Sequence, residues 1–314
     1  MTDRAYWRQR ELENIAADYT SDRQMLAKIK NLYTQQLLEI QKEIDSFYQR
    51  YATTSGMTIA AAKRAVSGFD VAGYEATAKR LVEARDLSPE ANQQLKIYNA
   101  TMRINRLELL KSKIGLHLIE LGADYDSALK DYTRNMSVKT YTRQSGILGD
   151  SVNIDTWTKA DQLITASYHN ATFSERIWGA VDVIHVEIDK RLTQYLINGR
   201  SSIELARALR KVFDSAQYEA ETLVRTEVRR IQTAVQEDFM RERGIGEYVF
   251  IAEPTACADC KKAENGGENN DGVYALRDLE VGVNASPIHP NCRCSIAPRV
   301  DRAEFEGDLE RRGL

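Results

Sequence analysis

Residues 257–260 read Cys-Ala-Asp-Cys and residues 289–294 read His-Pro-Asn-Cys-Arg-Cys, and these two stretches hold all four cysteines of the chain. A tetrahedral zinc takes four nitrogen or sulfur ligands, and two cysteines separated by two residues can bind one ion from a tight turn. The sequence therefore predicts a metal site that fixes the fold of a small C-terminal module. The candidate ligands are Cys257, Cys260, His289, Cys292 and Cys294.

The spacing does not decide which four of these five residues bind the ion. Cys257 and Cys260 form the first pair of ligands. The second pair is either His289 with one of Cys292 and Cys294, or both of these cysteines together.

Length, composition and charge limit the possible classes of protein. The chain has 314 residues, 43% hydrophobic and 28% charged, which suits about two domains and excludes a wholly disordered chain. With 43 Lys and Arg against 46 Asp and Glu, the net charge is −3, so an overall positive field for non-specific nucleic-acid binding is missing. No apolar run approaches the roughly 20 residues of a membrane span, and we expect no signal peptide, no membrane anchor and folding in a cytosol.

The cysteines have other possible states. They could form two disulfides or pack as free thiols, but a cytosolic protein favours bound metal over disulfides. A catalytic zinc would need an open coordination position and a nearby carboxylate, for which Glu253 and Asp259 are candidates. Cysteine-rich ligation favours a closed, structural zinc instead.

Before residue 244 the sequence is typical of long helices. It is rich in Ala, Leu, Arg, Lys, Glu and Gln, and Pro89 is the only proline before residue 254. Apolar residues spaced by three or four over 26–51 predict a long amphipathic helix. Gly122 is predicted to end a later helix. Further helices are expected over 58–66, 70–85, 88–121, 124–135, 172–196, 201–213 and 216–243.

After Gly246 the pattern changes to short β-prone stretches, at 247–252, 272–276 and 294–297. The predicted fold class is mainly α, with a long-helix N-terminal region followed by a small α+β, zinc-stabilised C-terminal module. The predicted organisation has four parts: an elongated helical region (1–145), a connecting helical segment (146–190), the module with the Cys/His cluster (191–298) and a charged tail (299–314).

Three motifs in a fixed order resemble a known family. Arg-Thr-Glu-Val at 225–228 on a predicted helix, the Cys-Ala-Asp-Cys pair, and Pro-Ile-His-Pro-Asn-Cys-Arg-Cys at 287–294 are similar to the phage Mu F-like minor head proteins, also called phage head morphogenesis proteins. The resemblance covers about residues 190–298. The helical N-terminal part, which opens with Trp7, is similar to the region that accompanies this segment in the family.

The resemblance implies a low-copy minor head protein of a tailed bacteriophage, located at the portal vertex and capsid interior of the virion and assembled in the bacterial cytoplasm. Its role would be head assembly or the handling of packaged DNA. The implied partner is the portal protein, with the major capsid or scaffold protein and packaged DNA as further candidates and no membrane.

The predicted function is assembly without enzymatic turnover, and two alternatives stay open. The first is a zinc-dependent nuclease or transferase in the C-terminal module, and the second is a DNA-binding module. Arg229 and Arg230 could contact phosphates, but the acids around them predict a balanced, solvated helix face. Arg225 or Glu227 is predicted to brace their helix against the cysteine module.

Overall fold

The computed structural model describes residues 3–51, 106–147, 155–168, 170–197 and 200–299. Within these residues the protein is mainly helical and carries a small antiparallel sheet near its C-terminal end, which confirms the predicted fold class apart from the zinc. None of the described helices combines the length and apolar character that crossing a bilayer requires. The helices are α1 (Asp3–Tyr51), α2 (Arg106–Ile147), α3 (Asp155–Thr165), α4 (Phe173–Ile197), α5 (Ser202–Glu242) and α6 (Ala258–Glu264), and the strands are β1 (Glu247–Ile251), β2 (Val273–Ala275) and β3 (Ser295–Pro298).

Several helices are longer than the sequence predicted. Helix α1 begins well before the predicted residue 26, and the two helices predicted over 201–213 and 216–243 form the single helix α5. Helix α5 begins with a capping box, in which two hydrogen bonds join Ser201 and Glu204. The Ser201 amide donates to Glu204 Oε2 (3.1 Å), and the Glu204 amide donates to Ser201 Oγ (3.3 Å). The helices predicted over 58–66 and 70–85, the first part of 88–121, and all but the first residue of the tail lie outside the described residues.

Gly122 lies inside α2, so the predicted helix end at this residue is wrong. The glycine serves helix packing. A Cβ at residue 122 would lie 2.8 Å from the Trp178 ring and 3.1 Å from Val181 Cγ2, both on α4. A side chain of any size would therefore push the two helices apart.

Gly122→Ala is accordingly expected to destabilise the protein by about 1–3 kcal/mol, the usual cost of overpacking a core. The measurement is equilibrium unfolding in denaturant. Gly179→Ala is the matched control, since Gly179 also lies within a helix and a Cβ there meets nothing within 4 Å. This control should gain about 0.5–1 kcal/mol from helix propensity. Equal stabilities of the two variants would contradict the packing role of Gly122.

The described residues divide into two compact units. The first is drawn from Met1–Ala27, Leu129–Phe173 and Glu221–Leu314, and the second from Lys28–Ala128 and Ser174–Ala220. Each unit thus combines segments that are distant in sequence. The domain boundaries predicted near residues 145, 190 and 298 rest on sequence character and stay predictions.

The core of the second unit contains three aromatic rings in edge-to-face contact. The Tyr33 ring centroid lies 6.4 Å from that of Tyr125 and 6.3 Å from that of Phe213. The buried Tyr125 hydroxyl donates a hydrogen bond to the Ala220 carbonyl (2.7 Å). Aromatic pairs at such distances stabilise a core beyond their buried area.

The sheet of the first unit has the order β2-β1-β3, with both neighbours antiparallel to β1. Successive residues of β1 face opposite ways. Tyr248 and Phe250 pack with Ile296 and with the three buried cysteines of the C-terminal module. Val249, Ile251 and Ala297 pack on the other side of the sheet against Trp7 of α1. The beginning of the chain therefore completes the core of its C-terminal module.

Candidate metal centre

The first cysteine pair lies at the start of α6. Cys257 immediately precedes this helix, and Cys260 is in its first turn. Residues three apart lie on the same side of a helical turn, which brings both sulfurs to one face. Cys257 is exposed and Cys260 is buried. The tight turn predicted from the spacing is thus the first turn of a helix.

The second stretch lies in irregular chain before β3. The Cys292 amide donates to the His289 carbonyl (3.1 Å) and closes a turn, in which Asn291 has a φ of +64°. Cys292 and Cys294 are both buried and both precede the first residue of β3. The β-prone stretch predicted from residue 294 therefore begins as a strand only at Ser295, and neither cysteine lies on that strand.

The fold brings all five predicted ligands together in two groups that share Cys260. The first group is Cys257, Cys260 and His289, and the second is Cys260, Cys292 and Cys294. In each group the ligand atoms lie within 4.8 Å of one another. His289 Nε2 is 3.2 Å from Cys257 Sγ and 3.3 Å from Cys260 Sγ, and the Cys260 and Cys292 sulfurs are 3.7 Å apart.

The ring of His289 is oriented for metal binding through Nε2. Its Nδ1 lies 2.8 Å from the Pro290 carbonyl oxygen, which can only accept a hydrogen bond. In the neutral ring this contact places the proton on Nδ1, and Nε2, which faces the two sulfurs, keeps its lone pair for a metal. Burial lowers the pKa of His289, but the Pro290 carbonyl and the negative charges of Cys292 and Cys257 outweigh burial and raise it.

The surroundings favour the thiolate at one cysteine of each group. Hydrogen bonding from Cys294 lowers the pKa of Cys292 to about 4 despite burial. The Cys260 backbone amide lowers the pKa of Cys257. Burial raises the pKa of Cys260, and hydrogen bonding to Cys292 together with burial raises that of Cys294. Thiolates are the form of cysteine that binds metal, so the cluster is suited to a cation.

The structure also bears on the alternative states of the cysteines. All four are free, and the 3.7 Å between the Cys260 and Cys292 sulfurs is far longer than the roughly 2.05 Å of a disulfide. Within the described part of the chain, both groups that could hold a metal consist of Cys and His alone. The two candidate carboxylates for catalysis, Glu253 and Asp259, belong to neither group.

Helix α5 is hydrogen-bonded to the turn between His289 and Cys292. Arg225 Nη1 donates to Asn291 Oδ1 (3.1 Å), Asn291 Nδ2 donates to Thr222 Oγ1 (3.2 Å), and the Asn291 amide donates to Thr226 Oγ1 (3.2 Å). The contact required for Arg225 to brace α5 against the cysteine module is present. Two of the three motifs in the sequence are therefore in direct contact.

Glu227 has a different partner. It is buried and accepts a hydrogen bond from Arg230 Nε at 2.8 Å. Arg230 also donates to the Leu163 carbonyl of α3 (3.3 Å). The pair joins α5 to α3, so the prediction of a solvated face at Arg230 is wrong.

A buried polar network surrounds Asp18, and no sequence motif predicted it. Asp18 is 1% exposed and binds Arg143, Lys139 Nζ (3.0 Å) and Gln232 Nε2 (2.8 Å), with Arg229 Nη1 at 3.8 Å. Arg229 is buried here, so it too is not on a solvated face. The apolar stripe of α1 continues toward the N-terminus of the helix, and some of its positions are occupied by acidic residues. Acidic residues on the apolar face of a helix indicate buried, paired charges.

The same end of α1 is bonded to β3 and α6. The Ser295 hydroxyl donates to Glu11 Oε2 (2.8 Å), and Glu11 is buried. Arg8 pairs with Glu264 at the end of α6, and Glu264 also accepts from the Ala252 amide (3.1 Å). The first helix thus contacts α6, which contains Cys260, and β3, whose first residue directly follows Cys294.

Comparison with known proteins gives one family match. Residues 186–297 match the family described as Phage Mu protein F like protein. Comparisons with curated proteins and with solved structures find no match. The matched segment contains both groups of candidate ligands and the α5 residues that bind Asn291. The resemblance to the phage head morphogenesis family that the three motifs predicted is thus confirmed for residues 186–297.

Proposed function

We propose that this protein is a minor head protein that acts in head assembly at the portal vertex and capsid interior of a tailed phage, and that it is not an enzyme. The observation that carries the proposal is the family match, which indicates a protein related to the phage head and hence to the virion. The Cys/His cluster supports an assembly role, because a cysteine-rich donor set suits structural metal.

The role is tested by co-expressing the tagged full chain with the portal protein of the same phage. We expect the portal protein to co-purify, and we expect the chain to be present in purified heads at low copy number. Cleavage of plasmid DNA that depends on zinc would favour the nuclease alternative, and salt-dependent DNA binding by the pure protein would favour the DNA-binding alternative. Absence from heads together with no portal association would contradict the proposal.

The cluster fits a structural zinc. Four of Cys257, Cys260, His289, Cys292 and Cys294 would hold the ion, and the zinc would neutralise the clustered thiolates and fasten α6 to the loop before β3. Cys260 belongs to both groups and is central to any such set. If one tetrahedral ion were bound by residues of both groups, the ligand atoms that the two groups do not share would have to move closer to one another.

The reduced, natively folded protein is expected to contain one zinc per chain by elemental analysis. Cys260→Ser should abolish tight binding, because this sulfur lies in both groups. Zinc should raise the free energy of unfolding by about 4 kcal/mol when its free concentration is 1,000-fold above the dissociation constant.

Asp259→Asn is the matched control for this measurement. Asp259 is exposed, lies next to Cys260 and belongs to neither ligand group, so zinc content should stay at one per chain. Loss of zinc in this control would point to carboxylate ligation and the enzyme alternative. Wild-type protein without bound metal would contradict the structural zinc.

A further inference from the structure

We propose that Asn291 and the α5 residues that grip it, Arg225, Thr222 and Thr226, are positioning residues that set the affinity of the metal centre. The inference rests on the proposed zinc site and extends it to residues that are not candidate ligands. It assigns a role to the contact between the Arg-Thr-Glu helix and the His-Pro-Asn-Cys-Arg-Cys stretch.

Three polar groups of Asn291 are bonded to a single face of α5. Its side-chain oxygen, its side-chain nitrogen and its backbone amide contact residues 225, 222 and 226, at 3.1–3.2 Å. Residues three and four apart share a helix face, so one rigid surface receives all three bonds. The Thr226 hydroxyl donates to the Thr222 carbonyl (2.7 Å), which turns its lone pairs toward the Asn291 amide.

The Arg225 side chain is itself held in place. Its Nη2 lies 3.3 Å from Glu221 Oε2, one turn earlier on α5, while Nη1 reaches Asn291. The Arg225 and Glu221 side chains are both only about one-fifth exposed. The ion pair with Glu221 therefore holds the Arg225 guanidinium in the position from which it donates to Asn291.

Asn291 lies between two candidate ligands of different groups. His289 belongs to the first group and Cys292 to the second. The φ of +64° at Asn291 and the bond from the Cys292 amide to the His289 carbonyl (3.1 Å) define the turn between them. Asparagine adopts this left-handed conformation more readily than most residues. Because both ligands extend from this turn, a shift of Asn291 would displace both of them.

Residues outside the ligand set that orient ligands typically contribute 10–100-fold to metal affinity. Asn291→Gly is the informative variant, since glycine tolerates a positive φ and only the side-chain bonds are lost. We expect zinc to bind about 10–100-fold more weakly in this variant, measured by competition with a chromophoric chelator. With cobalt(II) as the probe ion, we expect altered d–d and thiolate charge-transfer absorption.

Asn270→Gly is the matched control. Asn270 also has a positive φ, +56°, and it is exposed on the loop that follows α6. The same substitution there should leave zinc affinity within twofold of wild type. Circular dichroism of each zinc-loaded variant checks that the fold is retained.

Arg225→Lys provides a second variant that keeps the positive charge but not the planar guanidinium. We expect an intermediate loss of zinc affinity, and this variant decides the question should Asn291→Gly fail to fold. Wild-type protein that binds one zinc, with Asn291→Gly and Arg225→Lys binding as tightly as Asn270→Gly, overturns the positioning role alone. Wild-type protein that binds no zinc overturns the zinc site as well.

Discussion

Trp7→Ala is expected to destabilise the C-terminal module by about 3–5 kcal/mol, although residue 7 lies at the opposite end of the chain. The Trp7 side chain is 5% exposed and packs against Val249, Ile251 and Ala297 on one face of the sheet. Its removal leaves a cavity that three short strands cannot close by moving together. The measurement is equilibrium unfolding in denaturant, followed by far-ultraviolet circular dichroism.

Leu38→Ala is the control on the same helix, because Leu38 is 49% exposed and its truncation should change stability by less than about 0.5 kcal/mol.

A related expectation concerns residues 186–297, the segment that matches the family. Expressed alone, this segment should fail to fold cooperatively even with zinc, because it lacks Trp7 and Glu11. A folded, zinc-loaded fragment would show that α1 is dispensable for the module.

Asp18→Asn is expected to cost about 3–5 kcal/mol, the usual loss when one partner of a buried ion pair is removed. Arg143, Lys139 and Arg229 all surround this carboxylate, and Arg229 is itself buried. The variant leaves these charges without their common counter-ion. Asp45→Asn, at an exposed acid on the same helix, is the control and should be close to neutral.

The pH dependence of stability provides a second measure of Asp18. Burial alone would raise its pKa, but the hydrogen bond and charge of Arg143 and the charge of Arg229 lower it below the ordinary value. A carboxyl with a lowered folded-state pKa stabilises the protein above its unfolded-state pKa, near 3.9, and this stability is lost as pH falls through the folded-state pKa. Asp18→Asn should therefore show a shallower loss of stability in acid. Acid unfolding parallel to that of wild type would contradict this role.

Glu11 is expected to act in the opposite direction. Burial raises its pKa above the ordinary value, in spite of the hydrogen bonds from Ser295 and Asn14. A carboxyl with a raised folded-state pKa disfavours the fold above that pKa, and the penalty disappears as pH falls toward the unfolded-state pKa. The two acids lie on the same helix and face the same arginines, so the measured pH profile combines opposing contributions.

The sequence predicted local structure best. Spacings of three and four marked the helices, and the β-prone stretches after Gly246 correspond to the three strands. The predictions that are wrong concern residues whose role depends on contacts with other segments of the chain. Gly122 has the residue type of a helix end, but Trp178 occupies the space where its side chain would be. The acids near Arg229 and Arg230 in sequence predict a solvated face, but Asp18 and Glu227 neutralise these arginines in the interior.

The candidate metal centre was only partly accessible from sequence. The donor types and the spacing of the first cysteine pair identified all five candidate ligands. The spacing could not show how His289, Cys292 and Cys294 lie relative to one another, because the chain around them follows a turn centred on Asn291. That turn depends on a helix more than 60 residues earlier in the chain.

The sequence alone indicated the helical character of the chain, the cysteine and histidine residues able to bind a metal, and a resemblance of about residues 190–298 to a phage head family, which the family comparison matches at residues 186–297. These properties depend on residue type and on spacing over a few positions. The tertiary structure alone decided that Trp7 fills the core beside the sheet, that Asp18 gathers three cations, and that α5 grips Asn291. Periodicity shows which face of an element is apolar, but the partner of that face depends on contacts between residues far apart in the chain.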